Sequence, residues 1–502
     1  MKKTLVTIFI GIVAGIALIV LFRQSPTKAA GTTEKKPAYT FNITFDSAVP
    51  YKLSPSASEE DLVSFAWNEF FALNWKSSYS SSFKYRGYAD PTWSYINDKS
   101  PYPAEPLVWE TYAHRVELRP NDDNMQAFDS EPRYVYASNI PPKNDTVKQN
   151  LFNNLDENNE IGSCNLYAKI LPDYNTNLQV LYQAKVNRDE FDYKYKNYRK
   201  EADLKAAVLK TANNIEMYND YYYKAGGSTC NCPDTARVFC LPCGGARVPG
   251  TLGIYTGALE VKSAWREVTD QEVATHLTRQ VLVYEKVNGK TVAVNKRYGL
   301  IGLHIVHKLA NYPAFTFATF EHVDVDTKDN MGYIRLDPDN TPLGDKKPRL
   351  YSRARPIPDV VKASTDYVHI QLSRRNFNSV WKNYRLVGIQ GKPSSDTSAF
   401  NYFLANYVIE SDSALSNFRG SSLEAPYNGG LNLLYKKMRY NQGGCQGCHG
   451  VTQLRGSDFS FLMGLKDQPH KTPDISRSDS KLALYLQAFE EVNKSEGKQK
   501  KK

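Results

Sequence analysis

Histidine, cysteine and methionine are scarce in this chain of 502 residues, at 8, 7 and 6. Any site built on them is therefore confined to a few positions. After residue 22 no apolar stretch is long enough to span a bilayer, which excludes a polytopic membrane protein. There is no G-x-S-x-G, no H-E-x-x-H and no phosphate loop, so hydrolases and nucleotide enzymes of those kinds have no support. No internal repeat is present. The body has almost no net charge. The formal +10 falls to +2 once Lys2, Lys3, Arg23, Lys28, Lys498, Lys500, Lys501 and Lys502 at the two ends are set aside. A basic nucleic-acid-binding face is thereby excluded, and no nucleic-acid partner is expected.

What is present is an ordinary globular composition, 41% hydrophobic and 23% charged, with 34 Tyr, 22 Phe and 6 Trp to pack a core. The length suits about three domains. Lys2 and Lys3 precede an uncharged apolar run, Leu5 to Phe22. This is the charge-then-apolar pattern of an export signal, and the run also has nearly the length of a spanning helix. A cleaved signal ending near Ala29 and an uncleaved anchor through residues 5–22 both fit. Either places the rest of the chain outside the cytoplasm, in a periplasmic or other extracytoplasmic space. An uncleaved run would attach it to the inner membrane.

The cysteines are Cys164, Cys230, Cys232, Cys240, Cys243, Cys445 and Cys448. Cys445-Gln446-Gly447-Cys448-His449 is a C-x-x-C-H sequence, the attachment pattern of c-type haem. Two thiols at that spacing add to the two porphyrin vinyl groups, and the adjacent histidine ligates the iron. About 0.002 such matches are expected by chance in a chain of this composition. The alternatives are a redox C-x-x-C with an incidental histidine, or half of a zinc site. The exported context and the lack of a thioredoxin-like βαβ pattern favour covalent haem c. Only 53 residues follow His449, with Met463 and His470 as sixth-ligand candidates. So short a tail predicts that the haem packs on the body. His304 on the body and Met438 just upstream are then further candidates, as are His114, His276, His307, His322 and His369.

Cys230, Cys232, Cys240 and Cys243 lie within fourteen residues. Four thiols so spaced suit a tetrahedral zinc. In an oxidising compartment, two local disulfides are favoured. Nested pairing (Cys230–Cys243, Cys232–Cys240) is one arrangement, and Cys164 is left over or pairs with a member of the cluster.

Periodicity predicts an α+β chain. It has a β-rich central body with flanking helices and a short, mainly helical C-terminal haem segment. Ser58–Trp75 reads as a helix capped by Ser58. Ala104–Tyr112 reads as a short helical or extended piece. A polar helix is expected within Phe191–Tyr223 and a β-rich stretch from Gly250 to Val325, with an Asn288-Gly289 hairpin. Residues 326–365 read as loop, Asn376–Trp381 opens a short element, and Ser398–Phe418 reads as a helix. Leu431–Tyr440 and Ser480–Val492 read as amphipathic helices beside the haem motif. The expected organisation is a signal or anchor at 1–29, a linker at 30–55, an α+β body at 56–420, a haem segment at 421–497 and a basic tail at 498–502.

Trp67–Trp75 (WNEFFALNW), Val108–Tyr112 (VWETY), Leu259–Trp265 (LEVKSAW), Gly299–Lys308 (GLIGLHIVHK) and Phe317–Val325 (FATFEHVDV), with CQGCHG at Cys445–Gly450, together resemble a family of exported bacterial monohaem cytochrome c proteins. The resemblance covers most of residues 60–460. It implies one covalent haem near the C-terminus and no particular reaction. The Cys230–Cys243 stretch lies outside its pattern. Within it His304, Glu321 and His322 stand out, on two adjacent predicted strands. His304 and His307 are three apart and so face opposite sides, as do Glu321 and His322. Each is a cross-strand hydrogen-bonding or solvated group, or else a distal ligand or proton-transfer residue; Glu321 and His322 are the candidates for catalysis. Two functions follow. One is a six-coordinate single-electron carrier serving an exported redox partner protein. The other is a peroxidase-like haem oxidoreductase with an open sixth position, for which the size of the body argues. A module that holds haem structurally for binding or sensing is a third.

Overall fold

The structure, a computed structural model, describes residues 39–148, 151–157, 180–216, 238–325, 332–333, 349–350, 355–406, 408–410, 433–464 and 472–473. Phe41–Lys502 forms one compact unit, and the unit before it, Met1–Thr40, lies almost wholly outside the described residues. The leader, Cys164, Cys230, Cys232, His470 and Ser480–Val492 lie outside them too. No described helix is long and apolar enough to cross a membrane.

In chain order the elements are α1 (Glu59–Leu73), β1 (Ala113–His114), α2 (Arg115–Leu118), β2 (Leu181–Val186), α3 (Arg188–Asn197), α4 (Glu201–Asn213), β3 (Leu259–Glu267), β4 (Thr278–Val287), β5 (Lys290–Leu309) and β6 (Tyr312–His322). Then come β7 (Gly332–Tyr333), β8 (Arg349–Leu350), α5 (Asp359–Arg375), β9 (Tyr384–Gln390), β10 (Leu433–Tyr435), β11 (Met438–Tyr440) and α6 (Gly444–Leu454). The architecture is α+β. Its seven-stranded antiparallel sheet runs β1-β2-β3-β5-β6-β9, with β4 paired to the first half of β5. Asn288 (φ 51°) and Gly289 (φ 78°) turn β4 into β5, as an Asn-Gly hairpin should. Every residue of β6 is buried, because helices and turns cover the strand on both faces. Its apolar run therefore does not alternate with polar positions.

One face carries α1 and α5. α1 starts at a capping box, Ser58 with Asp61, as its sequence predicts. Trp67 and Phe70 set their rings on Phe320 at 5.0 and 4.4 Å, and Trp67 Nε1 donates to Ser364 Oγ of α5 at 3.1 Å. His307 pairs with Glu69 of α1 on this face. The other face carries α6 and the turns after it. Phe317 packs on His449 and Phe315 on Phe459, at 4.9 and 5.7 Å.

Several elements differ from their sequence patterns. Leu433–Tyr440 is a hairpin, not a helix: Lys436 and Lys437 both have positive φ (48° and 63°) and make a two-residue turn. Residues 398–406 and 408–410 form no helix; the Leu404 carbonyl accepts from Cys445 N–H of α6 at 2.8 Å, and the Asn406 side chain donates from Nδ2 to Phe320 O of β6 at 2.9 Å. α5 arises inside the stretch that reads as loop. The polar helical stretch is two helices, α3 and α4, and Trp109–Thr111 is a single 3-10 turn. Residues 41–55 are packed chain rather than linker, with Ile43 and Phe45 buried. The C-terminal segment holds one helix and a hairpin among its described residues, packed on the body.

Candidate functional site

α6 carries the C-x-x-C-H motif in its first two turns. Its N-terminus leaves backbone N–H groups without intrahelical partners, and the body supplies them. Cys445 N–H goes to Leu404 O, and Gln446 N–H goes to Gln390 Oε1 at 2.8 Å. Gly444 takes φ +70°, and a Cβ there would lie 2.1 Å from Leu404 O, so only glycine fits this crossing.

A bulge in β6 makes the other dock. The β5–β6 register shifts between His307 and Leu309, and Phe315 sits in the left-handed region at φ 59°. The bulge releases the Ala314 and Phe315 carbonyls from the ladder. Gln446 Nε2 donates to both, at 3.0 and 3.2 Å, and to Gly391 O at 2.7 Å. Gln446, the first middle residue of the motif, is thus the plug that seats α6. Its role has no sequence signal beyond its place in the motif.

Cys445, Cys448 and His449 share one helix face, three and four residues apart. Cys445 and Cys448 are the free thiols among the described residues, whereas Cys240 and Cys243 are in disulfides. That agrees with disulfides rather than zinc for those two. His449 Nδ1 donates to Phe459 O at 2.5 Å, which leaves Nε2 unprotonated with its lone pair available. The ring lies between Phe317 (4.9 Å) and Phe461 (4.8 Å). Burial is the first cause that drives its pKa down to about 4; the Phe459 carbonyl opposes this, and His304 and Lys262 add to it. The imidazole is therefore neutral at neutral pH, the form that binds iron.

His304, on the same face of β5, approaches this site. Its Nε2 lies 3.3 Å from Glu410 Oε2 without a hydrogen bond. The ligand atoms of His304, Glu410 and Cys445 all lie within 4.8 Å of one another, a set able to hold a metal ion. Glu410 has no sequence signal; it reaches the site through a turn that returns its carboxylate to Asn406 N–H at 2.6 Å.

The remaining candidates lie elsewhere. Met463 is buried two residues beyond Phe461, and Met438 is 59% exposed on its hairpin. Glu321 is buried and paired with Arg385 at 2.6 Å. His322 stacks on His276 at 3.7 Å, five residues beyond Phe317 and hence about 17 Å along the strand. Neither sits beside His449. His307 is held by Glu69, His369 by Tyr384 O and His114 by Asp156.

The donor types gathered here are those that would hold a covalent haem c. They are two cysteines outside any disulfide one helical turn apart, an imidazole whose Nδ1 is committed to Phe459 O, and a second buried imidazole whose Nε2 lacks a hydrogen bond. No family model matches the chain, and comparison with curated proteins and with solved structures gives no match.

Proposed function

We propose that this chain is a c-type cytochrome that moves single electrons in an extracytoplasmic compartment. Cys445 and Cys448 would hold one haem covalently, and His449 and His304 would be the imidazoles that ligate its iron. The observation that carries the reading is the juxtaposition of two cysteines outside any disulfide and His449, its Nδ1–H committed to Phe459 O, with the orphaned His304 Nε2. The bound haem supplies one-electron redox chemistry. The chain's own residues do the rest. The Phe459 carbonyl keeps the Nδ1 tautomer and makes His449 a more electron-rich donor. Phe317 and Phe461 fix the ring plane and keep water off it. Gln446 and Gly444 hold the motif against the sheet, so that little has to move when charge changes. An exported redox protein is the partner, with inner-membrane attachment through residues 5–22. The family resemblance in the sequence points the same way.

One contact favours a second reading, a haem-dependent oxidoreductase. If His304 stays off the iron, its 3.3 Å approach to Glu410 makes a buried imidazole–carboxylate pair fit for acid–base work, in place of Glu321 and His322. The test is an absorption spectrum of protein matured with a haem-c assembly system, ferric and ferrous, with and without cyanide or carbon monoxide. The carrier reading expects a covalent haem whose low-spin spectrum ignores both ligands. A high-spin ferric spectrum that shifts with cyanide turns the reading to the oxidoreductase. Absence of covalent haem refutes both.

A further inference from the structure

We propose that the buried Lys308–Asp458 ion pair is a positioning device for His449, holding the Phe459 carbonyl against its Nδ1; the proposal rests on the haem reading for its redox consequence only. Lys308 and Asp458 are wholly buried and paired. Asp458 Oδ2 also accepts from Leu241 N–H at 2.6 Å, and Lys308 Nζ donates to Leu241 O at 2.8 Å and Cys240 Sγ at 3.5 Å. The pair therefore ties three pieces of chain together: the bulged end of β5, the disulfide-bearing segment, and the turn after α6.

That turn needs holding. Asp458 and Phe459 are consecutive non-glycine residues in the left-handed region, at φ 54° and 66°. Two such residues in a row persist only where the surroundings over-determine them. Gly456, at φ +91°, lets the turn lie on α4, where a Cβ would come within 2.1 Å of Val208 O. The left-handed pair reverses the chain so that Phe459 O points back at His449 Nδ1, while the Phe459 ring packs on Phe315 of the β6 bulge. Glu190 of α3 and Glu260 of β3 face the same pocket. Burial, and then Glu260, push the Glu190 carboxyl well above the usual carboxylate range. Lys308 Nζ makes its ion pair with Asp458.

The variant to make is K308M/D458N, which removes both charges together and leaves neither stranded in the core. K308R keeps the pair. In the haem-free chain, nitrogen-15 imidazole NMR of the wild type should show His449 as a single Nδ1–H tautomer with that proton protected from solvent. The double variant should exchange it at least ~10-fold faster and populate both tautomers, and K308R should not. In the haem-loaded protein, the weaker Nδ1 bond makes His449 a poorer donor. The ferrous-to-ferric ratio at a fixed ambient potential should therefore rise about 10-fold, the scale on which such outer partners act. A merely structural pair would move stability and neither of these readings. A folded double variant with wild-type proton protection overturns the proposal. If the double variant does not fold, K308Q/D458N, which is also uncharged and keeps both a donor for Leu241 O and an acceptor for Leu241 N–H, gives the same two readings. Faster exchange in a protein that never attaches haem would refute the cytochrome function and leave the clamp standing.

Discussion

His304 and His449 are the two imidazoles on which the electron-carrier reading turns, and they respond differently to substitution. C445A/C448A is expected to abolish covalent haem, read as loss of haem that survives denaturing electrophoresis. H304A is expected to retain haem but convert the ferric spectrum to high-spin and open it to cyanide. Unchanged low-spin character in H304A would remove His304 as a ligand and leave Met463 as the next candidate. A third histidine reports on folding. Burial is the largest cause that lowers the His276 pKa to about 2, followed by the stacked His322. The folded state then keeps His276 neutral while the unfolded chain protonates it below its ordinary pKa of about 6.5. Stability is therefore lost as pH falls from that value, with a slope of about 1.4 kcal/mol per pH unit from this group. Denaturant titrations of H276Q at pH 7 and pH 5 should show a smaller difference than those of the wild type. At this scale the motif was legible because covalent chemistry dictates its spacing. Glu410, Asp458 and Phe459 were not, since each acts through a contact with a residue far away in sequence, and a carbonyl acceptor has no residue signature at all.

α6 shows how an element is chosen by what it docks against. Gly444→Ala places a methyl group into the Leu404 carbonyl at a position with φ +70°. A loss of roughly 2 kcal/mol or more is expected, measured by chemical denaturation. The elements read correctly from sequence are those whose ends are locally encoded. Ser58 and Asp61 start α1, and Asn288-Gly289 turns β4 into β5. The misread ones depend on neighbours. Leu433–Tyr440 has helical spacing, but Lys436-Lys437 reverse the chain, and Gln453 of α6 holds Leu434 on both its N–H and its carbonyl. Residues 398–406 read as helix, yet Leu404 gives its carbonyl to the Cys445 N–H of α6 and Tyr402 gives its carbonyl to the Gly443 N–H just before it. That is incompatible with using those carbonyls in a helix.

Across the whole molecule, the sheet is buried between two dissimilar covers, an aromatic helix pair and the motif-bearing C-terminal segment. Because both pack on β6, their unfolding should be one transition. Trp67→Ala, on the face away from α6, is expected to cost about 3–5 kcal/mol. It should lower the denaturation midpoint by the same amount whether followed by far-ultraviolet dichroism or by the haem band. A haem transition that stays in place while dichroism shifts would show that the segment folds independently. Local chemistry and periodicity in the chain were enough for the α+β class and the β-rich centre, and they single out the C-x-x-C-H spacing on which the proposal rests, since each is written in residues adjacent or a few positions apart. Tertiary packing set His304 beside Cys445 and Glu410, seated α6 through Gln446 on a strand bulge, and brought Lys308 and Asp458 together across 150 residues of chain. These selections depend on which faces meet across the sheet, and one strand's register decides that for every side chain along it.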